Sequence, residues 1–274
     1  MRPFLLLLLA VGLSETAQAA NDPCVAANAK ESYVGFETVE KSLKDDVVAY
    51  RKLWREYCGK RTPAKVLGLF EALTAVAPKI QAQVAKTNDE KTLDALVKKL
   101  PDFVPAVSCF VYDGGSNCDA SLEEFAVIAA AGTDEDKLFA ETHRDVRGYG
   151  TLAPWYEQTW DYGGCIRYGE YDWVATLKKI DAAREKIQGK TYTVQLDEMK
   201  HGLLDVFAGD VTRQGTCSCK AKGAPLKDLP KVAAYLEKGR DSKEYLGQVR
   251  ELLQGLKSKK FKMRSQAEAH CSGG

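Results

Sequence analysis

The chain contains 274 residues, of which 39 are basic, 38 are acidic and 45% are hydrophobic. This composition is typical of a folded globular protein and excludes a disordered or fibrous chain. The formal net charge of +1 gives no overall basic surface, so nucleic acid is not expected as a partner.

The first 19 residues have the pattern of a cleaved export signal. Arg2 is followed by the apolar run Phe4–Leu13 and by Ala17-Gln-Ala19, a small-x-small cleavage site. Ten apolar residues are too few to span a bilayer as a helix. We therefore expect residues 1–19 to be a signal peptide and residues 20–274 to form one exported domain, periplasmic or extracellular, without a transmembrane segment.

The sequence contains eight cysteines, all of them after the predicted signal peptide. An even number in an exported chain predicts up to four disulfides. Cys109 and Cys118 flank the turn-forming residues 113–117, which favours a local bridge between them. A second bridge, between Cys24 and Cys58, is expected to join the two ends of the first helical region. The other four cysteines would tie the middle of the chain to the C-terminus: Cys165, Cys217, Cys219 and Cys271.

The pair Cys217-Ser-Cys219 has two functional alternatives, a redox-active dithiol or half of a metal site. A structural metal site needs four ligands, and no second Cys or His pair accompanies this one. Glu198-Met-Lys-His201 is likewise a single E-x-x-H pair where a di-metal bundle needs two. We therefore expect structural bridges, with no metal and no cofactor.

Apolar residues recur with helical spacing along most of the chain. The stripe Val39–Tyr57 predicts a first helix ending near Gly59, and Thr62-Pro63 begins a second that runs to about Val84, with a kink at Pro78. Capping patterns predict the starts of three more helices, at residues 87–100, 121–131 and 241–257. Apolar stripes predict another four, at residues 133–146, 172–188, 195–208 and 226–238.

Strand patterns are few. Ala106–Tyr112 and Thr191–Val194 are rich in β-branched and aromatic residues, but neither has a clear hairpin partner. The alternation of strands and helices required by a parallel sheet is missing. The predicted fold is therefore a single all-α domain of about nine helices, stapled by disulfides.

Residues 148–173, here called the aromatic segment, contain five of the 12 tyrosines and three of the four tryptophans. A loop of this length inside a compact domain is usually functional or disordered, and this one is too aromatic for disorder. Tyr and Trp side chains suit ligand recognition, so the segment predicts a contact surface for a protein, peptide or glycan. Its candidate binding residues are Tyr149, Trp155, Tyr156, Trp160, Tyr162 and Tyr168. The alternative is that these rings form core.

Glu141-Thr-His-Arg-Asp145 precedes the aromatic segment. His143 could act as a general base oriented by Asp145 or Asp161, with Glu141 or Glu157 as the partner acid, in hydrolysis of a glycan or peptide. The alternative is an exposed helix end, where His and Arg are favoured by the helix dipole.

Three functional hypotheses follow. A binding or interaction protein using the aromatic segment comes first, because no complete catalytic motif accompanies the aromatic residues. A hydrolase of envelope or extracellular polymers, carried by His143, is the alternative. A passive envelope protein whose aromatic residues are only core is the third.

Overall fold

The structure is a computed structural model, and it describes residues 23–29, 41–87, 90–112, 115–148, 154–158, 164–208, 217–219, 225–239, 243–259 and 264–265. Within these residues there are ten α-helices, one 3-10 turn and six short strands. The all-α prediction is confirmed. The sequence predicts one domain, whereas the contacts divide the chain into two compact units between Ile128 and Ala129. No linker composition marks this boundary.

The first unit contains five helices and one hairpin: α1 (Pro23–Asn28), α2 (Lys41–Lys60), α3 (Val66–Ala85), α4 (Glu90–Phe103), β1 (Val107–Tyr112), β2 (Gly115–Ala120) and α5 (Leu122–Ala129). The 3-10 turn Pro63–Lys65 precedes α3. Its core is aromatic: Trp54 packs edge-on against Tyr50 and Tyr57, and the rings of Phe70 and Phe125 are 4.8 Å apart. These rings come from helices α2, α3 and α5 and exclude water from the unit's centre.

Helix α1, the first that the structure describes, is fixed to α2 by a disulfide and by two arginines. Cys24 is bonded to Cys58. The buried Arg51 guanidinium donates to the carbonyl oxygen of Ala29 at 2.6 Å, and Arg55 Nε donates to that of Ala27 at 3.1 Å. Cations at the last carbonyls of a helix satisfy groups that have no partner within it.

The β1–β2 hairpin is held to the helices by side chains that bind its backbone. Cys109 and Cys118 are directly opposite in its register and are disulfide-bonded, as the sequence predicts. Tyr50 Oη donates to the Pro105 carbonyl at 2.7 Å, and the Ala106 N–H donates to Glu124 at 3.0 Å. The Glu124 N–H donates to Ser121 Oγ at 3.4 Å, but its carboxylate accepts from Ala106 and not from the Ser121 N–H, so only half of the predicted capping box forms.

The second unit contains five helices and a small sheet: α6 (Asp134–Arg147), β3 (Tyr156–Gln158), β4 (Gly164–Ile166), α7 (Trp173–Lys186), α8 (Lys190–Ala208), β5 (Cys217–Ser218), α9 (Pro225–Lys238), α10 (Lys243–Lys257) and β6 (Arg264–Ser265). Helix α6 packs on α7 and α8, and α9 packs on α7 and α10. The sheet has the order β3-β4-β5-β6, antiparallel at β3–β4 and parallel thereafter.

A buried carboxylate fixes the start of α6. The side chains and backbones of Thr133 and Asp136 form a reciprocal capping box, and Tyr192 Oη of α8 donates to the same carboxylate at 2.5 Å. The rings of Tyr192 and Phe139 stack at 4.3 Å. Gly132 is required here, because a Cβ at this position would lie 2.5 Å from Asp136 Oδ2.

Three features differ from the sequence-based expectations. Thr191–Val194, predicted as a strand, is the first turn of α8, where Tyr192 is buried against α6. The strand at Ala106–Tyr112 is present but has the hairpin partner that the sequence did not indicate, Gly115–Ala120. The described part of the aromatic segment is not an irregular loop, since it contains β3 and β4.

Candidate functional site

The aromatic segment folds locally as a short antiparallel hairpin. Tyr156 pairs with Ile166, and the Arg167 N–H donates to the Trp155 carbonyl at 3.0 Å, which extends the pairing by one residue. The Arg167 guanidinium also donates to the Pro154 carbonyl at 3.3 Å. These contacts hold Trp155 and Tyr156 in fixed positions next to the N-terminus of α7.

Five aromatic rings, here called the ring cluster, meet at the start of α7, and the ring of Trp173, the first residue of α7, is one of them. The Trp173 ring centroid lies 6.1 Å from that of Trp155, 5.9 Å from that of Tyr168 and 4.9 Å from that of Tyr171. Tyr156 contacts Trp155 edge-on at 6.1 Å. Such tilted and edge-on contacts are the favoured geometries between aromatic rings.

The ring cluster has a buried part and a half-buried part. Trp173 and Tyr168 are 2% and 1% exposed, and the Tyr168 hydroxyl contacts the Val206 carbonyl at 3.5 Å. Trp155, Tyr156 and Tyr171 are half-buried. Among the predicted binding residues, therefore, Trp155 and Tyr156 reach the surface and Tyr168 does not. Three others lie outside the described residues: Tyr149, Trp160 and Tyr162.

A disulfide holds the hairpin to a segment more than 50 residues further along the chain. Cys165, in β4, is bonded to Cys219, which follows β5 directly. The Cys219 N–H donates to the Ile166 carbonyl at 3.0 Å. Among the described residues, β4 and β5 pair in parallel at Ile166 and Ser218, and the disulfide joins them covalently. Cys271, the predicted partner in this region, lies outside the described residues.

A surface cavity of about 170 Å³ lies beside the ring cluster. It is lined by the turn before α7, by the start of α7 and by one face of α9: Gly169, Glu170, Tyr171, Asp172, Trp173, Val174, Asp228, Lys231 and Val232. The lining therefore combines two aromatic rings with three carboxylates and one ammonium group.

Backbone contacts fix the shape of this cavity. Gly169 has φ 79°, a conformation that favours glycine, and its N–H donates to Asp228 Oδ2 at 2.5 Å. Asp228 is only 6% exposed. Asp172 caps α7 by accepting from the Ala175 N–H at 3.0 Å. The turn is thus locked to α9 and to α7, which holds the cavity walls in place before any ligand arrives.

Tyr171 connects the cavity with the ring cluster. Burial raises the pKa of its phenol, although a hydrogen bond from the Thr176 hydroxyl at 2.9 Å lowers it in part. The phenol is therefore protonated at neutral pH. A cavity with protonated phenol, carboxylates and ring edges can contact both the polar groups and the apolar faces of a ligand.

His143, the predicted base, lies on α6. Its ring is 6.1 Å from that of Phe139, and within the described residues its buried Nδ1 has no hydrogen-bond partner. Burial and, secondarily, the charge of Arg147 lower the pKa of His143 to about 4. The imidazole is therefore neutral at physiological pH.

Among the described side chains, none of the predicted carboxylates Glu141, Asp145 and Glu157 hydrogen-bonds His143, and Asp161 lies outside the described residues. Glu141 is exposed. Asp145 bonds to Arg144 at 3.3 Å and to Lys179 of α7. Burial raises the pKa of Asp145, but these two cationic partners outweigh burial and leave it below its usual range. Asp145 is thus part of an ion-pair contact between α6 and α7, and not an acid poised beside His143.

The two side chains of the E-x-x-H pair on α8, Glu198 and His201, contact other residues. Glu198 accepts from the Gln195 amide at 2.7 Å, and the His201 ring lies 5.8 Å from that of Tyr245. Across the ranges that the structure describes, no group of three or more His, Cys, Asp or Glu side chains could hold a metal ion.

Sequence reasoning missed the cavity residues of α9. Tyr171 and Trp173 lie inside the aromatic segment and could have been included by position alone. Asp228 and Lys231 belong to a helix 55 or more residues further along the chain, and nothing in its amphipathic pattern distinguishes them from other charged residues on a helix surface.

Comparison with known proteins found no family model, no curated protein and no solved structure that matches this chain. Among the described residues, no helix is both long enough and apolar enough to cross a membrane.

Proposed function

We propose that this protein is an exported binding protein whose contact surface is formed by Trp155 and Tyr156, with the adjacent cavity as the seat for a polar part of the ligand. The observation that carries the proposal is the position of the half-buried Trp155 ring. It is packed on the buried Trp173, which also lines the cavity. A rigid, partly exposed indole beside a preformed cavity suits recognition of a peptide, protein or glycan.

Export is supported by the sequence of residues 1–19 and by the disulfides. Within the residues that the structure describes, three bridges join six cysteines. Disulfides persist in oxidising compartments such as a periplasm or the cell exterior, and are rare in the cytosol. The signal peptide and its cleavage after Ala19 remain part of the proposal, and the N-terminal sequence of the secreted protein tests them.

The hydrolase alternative has less support. General base catalysis needs a titratable group with its partner within about 3 Å, or one water. Among the described side chains, no carboxylate hydrogen-bonds His143, and its pKa of about 4 leaves the ring neutral and weakly basic. We therefore rank binding above catalysis.

The experiment uses the mature chain, residues 20–274, on an array of glycans and random heptapeptides. Wild type is compared with Trp155→Ala and with Trp155→Phe, which keeps an aromatic ring. The control is Val194→Ala, an exposed apolar residue of α8 (44% exposed). Loss of a positive signal in Trp155→Ala, with partial retention in Trp155→Phe, supports the proposal. No signal on either array, or equal signals from all variants, contradicts it and favours a passive structural role.

A further inference from the structure

Strand β3 lies at one edge of its sheet. In the order β3-β4-β5-β6, β4 is its one neighbour among the strands that the structure describes. An edge strand presents backbone N–H and C=O groups on its open side, and these can pair with another chain. The half-buried Trp155 and Tyr156 lie on this same strand or directly before it.

The register shows which backbone groups of β3 point outward. In an antiparallel pair, hydrogen-bonded and non-hydrogen-bonded residue pairs alternate. Because the Arg167 N–H donates to the Trp155 carbonyl, the next hydrogen-bonded pair along the register is Glu157 with Cys165. The N–H and C=O groups of Tyr156 and Gln158 therefore point away from β4.

The contacts of β4 agree with this outward orientation of the Tyr156 backbone groups. Ile166 is opposite Tyr156, and its carbonyl accepts from the Cys219 N–H on the β5 side, away from β3. Tyr156, its non-hydrogen-bonded counterpart, must face the opposite way.

We propose that the ligand of the Trp155 surface is an extended peptide segment that pairs with the open edge of β3. This inference rests on the proposed function, because it names the ligand class of the same surface. The edge offers two donors and two acceptors at positions i and i+2, about 7 Å apart along the strand. An extended peptide backbone presents complementary groups at that repeat, whereas the hydroxyls of a glycan do not.

The mode of binding follows from this geometry. Backbone pairing supplies affinity that does not depend on peptide sequence, while pockets for alternate side chains supply specificity. Trp155, directly before the strand, offers its ring to a peptide side chain at one end of the paired segment. We therefore expect binding peptides to share an apolar or aromatic residue at one position and little else.

The test on the protein is Gln158→Pro. Proline removes the outward N–H of Gln158 and leaves the bonds between β3 and β4 in place, since proline is tolerated on edge strands where its nitrogen faces away from the ladder. The probe is the heptapeptide with the strongest Trp155-dependent array signal. Loss of one hydrogen bond should weaken its binding by about 2- to 10-fold. Gln158→Ala keeps the N–H and should bind like wild type.

The test on the peptide keeps the protein unchanged, so it holds even if Gln158→Pro fails to fold. The same heptapeptide is N-methylated at residues i and i+2, or at i+1 and i+3. Because only alternate N–H groups of a paired strand face β3, one of the two phases should abolish binding and the other should retain most of it.

The outcomes separate the two proposals. A Trp155-dependent signal on glycans alone overturns the peptide inference and leaves the binding function standing. A peptide whose binding is equally affected by both N-methylation phases, or by neither, overturns pairing at β3. No binding signal on either the glycan or the heptapeptide array contradicts both proposals.

Discussion

The ring of Trp155, which is half-buried, packs at a 43° angle against the ring of the buried Trp173, with their centroids 6.1 Å apart. This contact joins the proposed binding surface to the core of the second unit. The first residue of α7, Trp173, therefore supports the Trp155 ring. The position of that ring is fixed by packing on a helix and not by a flexible loop.

Among the three disulfides of the described residues, the Cys165–Cys219 bridge should be the most stabilising. It spans 54 residues, against nine for Cys109–Cys118. By loop entropy, removal of the first should cost about 4 kcal/mol and removal of the second about 3 kcal/mol. Urea denaturation of Cys165→Ala/Cys219→Ala and Cys109→Ala/Cys118→Ala measures both. A larger loss for the shorter loop would contradict this ranking.

The neutral His143 should make the fold sensitive to acid. Its folded pKa of about 4 lies below the ordinary value of 6.5, so the unfolded chain binds the proton more strongly. Its contribution is complete above pH 6.5 and is lost as the pH falls towards 4, by about 2 kcal/mol at pH 4.5. The free energy of unfolding of His143→Leu should fall less over this range. Val194→Ala, an exposed position of α8 without a titratable group, is the control and should behave like wild type.

Glu124 should make the fold less stable as the pH rises, the opposite of the pH dependence expected from His143. Burial raises its pKa, although the hydrogen bond from the Ala106 N–H lowers it in part and the charge of Glu123 raises it further. A raised folded pKa means that stability is highest when the carboxyl is protonated and falls as the pH rises from about 4.5 through the folded pKa. Glu124→Gln keeps an acceptor for Ala106 and should lose this dependence, as pH-dependent urea denaturation can show. A Gln variant that is less stable at pH 7 would mean that the ionised carboxylate is needed.

The Tyr192 hydroxyl should contribute measurably to the stability of the second unit. It donates to the buried Asp136 carboxylate, which is 1% exposed. Tyr192→Phe leaves that carboxylate with one fewer donor and should cost about 1–3 kcal/mol. Thr193→Ala, which removes an exposed hydroxyl bonded to the Lys190 carbonyl, should change stability by less than about 0.5 kcal/mol. Equal effects of the two substitutions in thermal or urea denaturation would contradict a special role for Asp136.

The helices were predictable because their signal is local. The stripe from Val39 to Tyr57 placed α2 within a few residues of its observed bounds, Lys41–Lys60. Thr191–Val194 was misassigned because β-branched residues favour strands only when tertiary packing does not decide otherwise. Here the contact of Tyr192 with Phe139 and Asp136 decides for a helix. Gly115–Ala120 was missed because Gly, Ser, Asn and Asp have little preference for strands.

The candidate site was only partly predictable, for a different reason. Clustering of Tyr and Trp in one segment is visible in the sequence, but which rings reach the surface depends on packing. Trp155 is half-buried and Tyr168 is buried, although both lie in the same segment. The cavity needs Asp228 of α9, which the fold brings to Gly169 across 59 residues. Whether His143 has a carboxylate partner depends on the tertiary fold, which residue spacing in the sequence does not predict.

The most direct test of the binding proposal is the affinity of wild type and Trp155→Ala for the strongest array-selected ligand, measured by titration calorimetry with circular dichroism to confirm folding. A ring of this kind at the centre of a contact is worth about 2 kcal/mol or more, so the account predicts a loss of affinity of about 30-fold or greater. Equal affinity of the two folded proteins would contradict it.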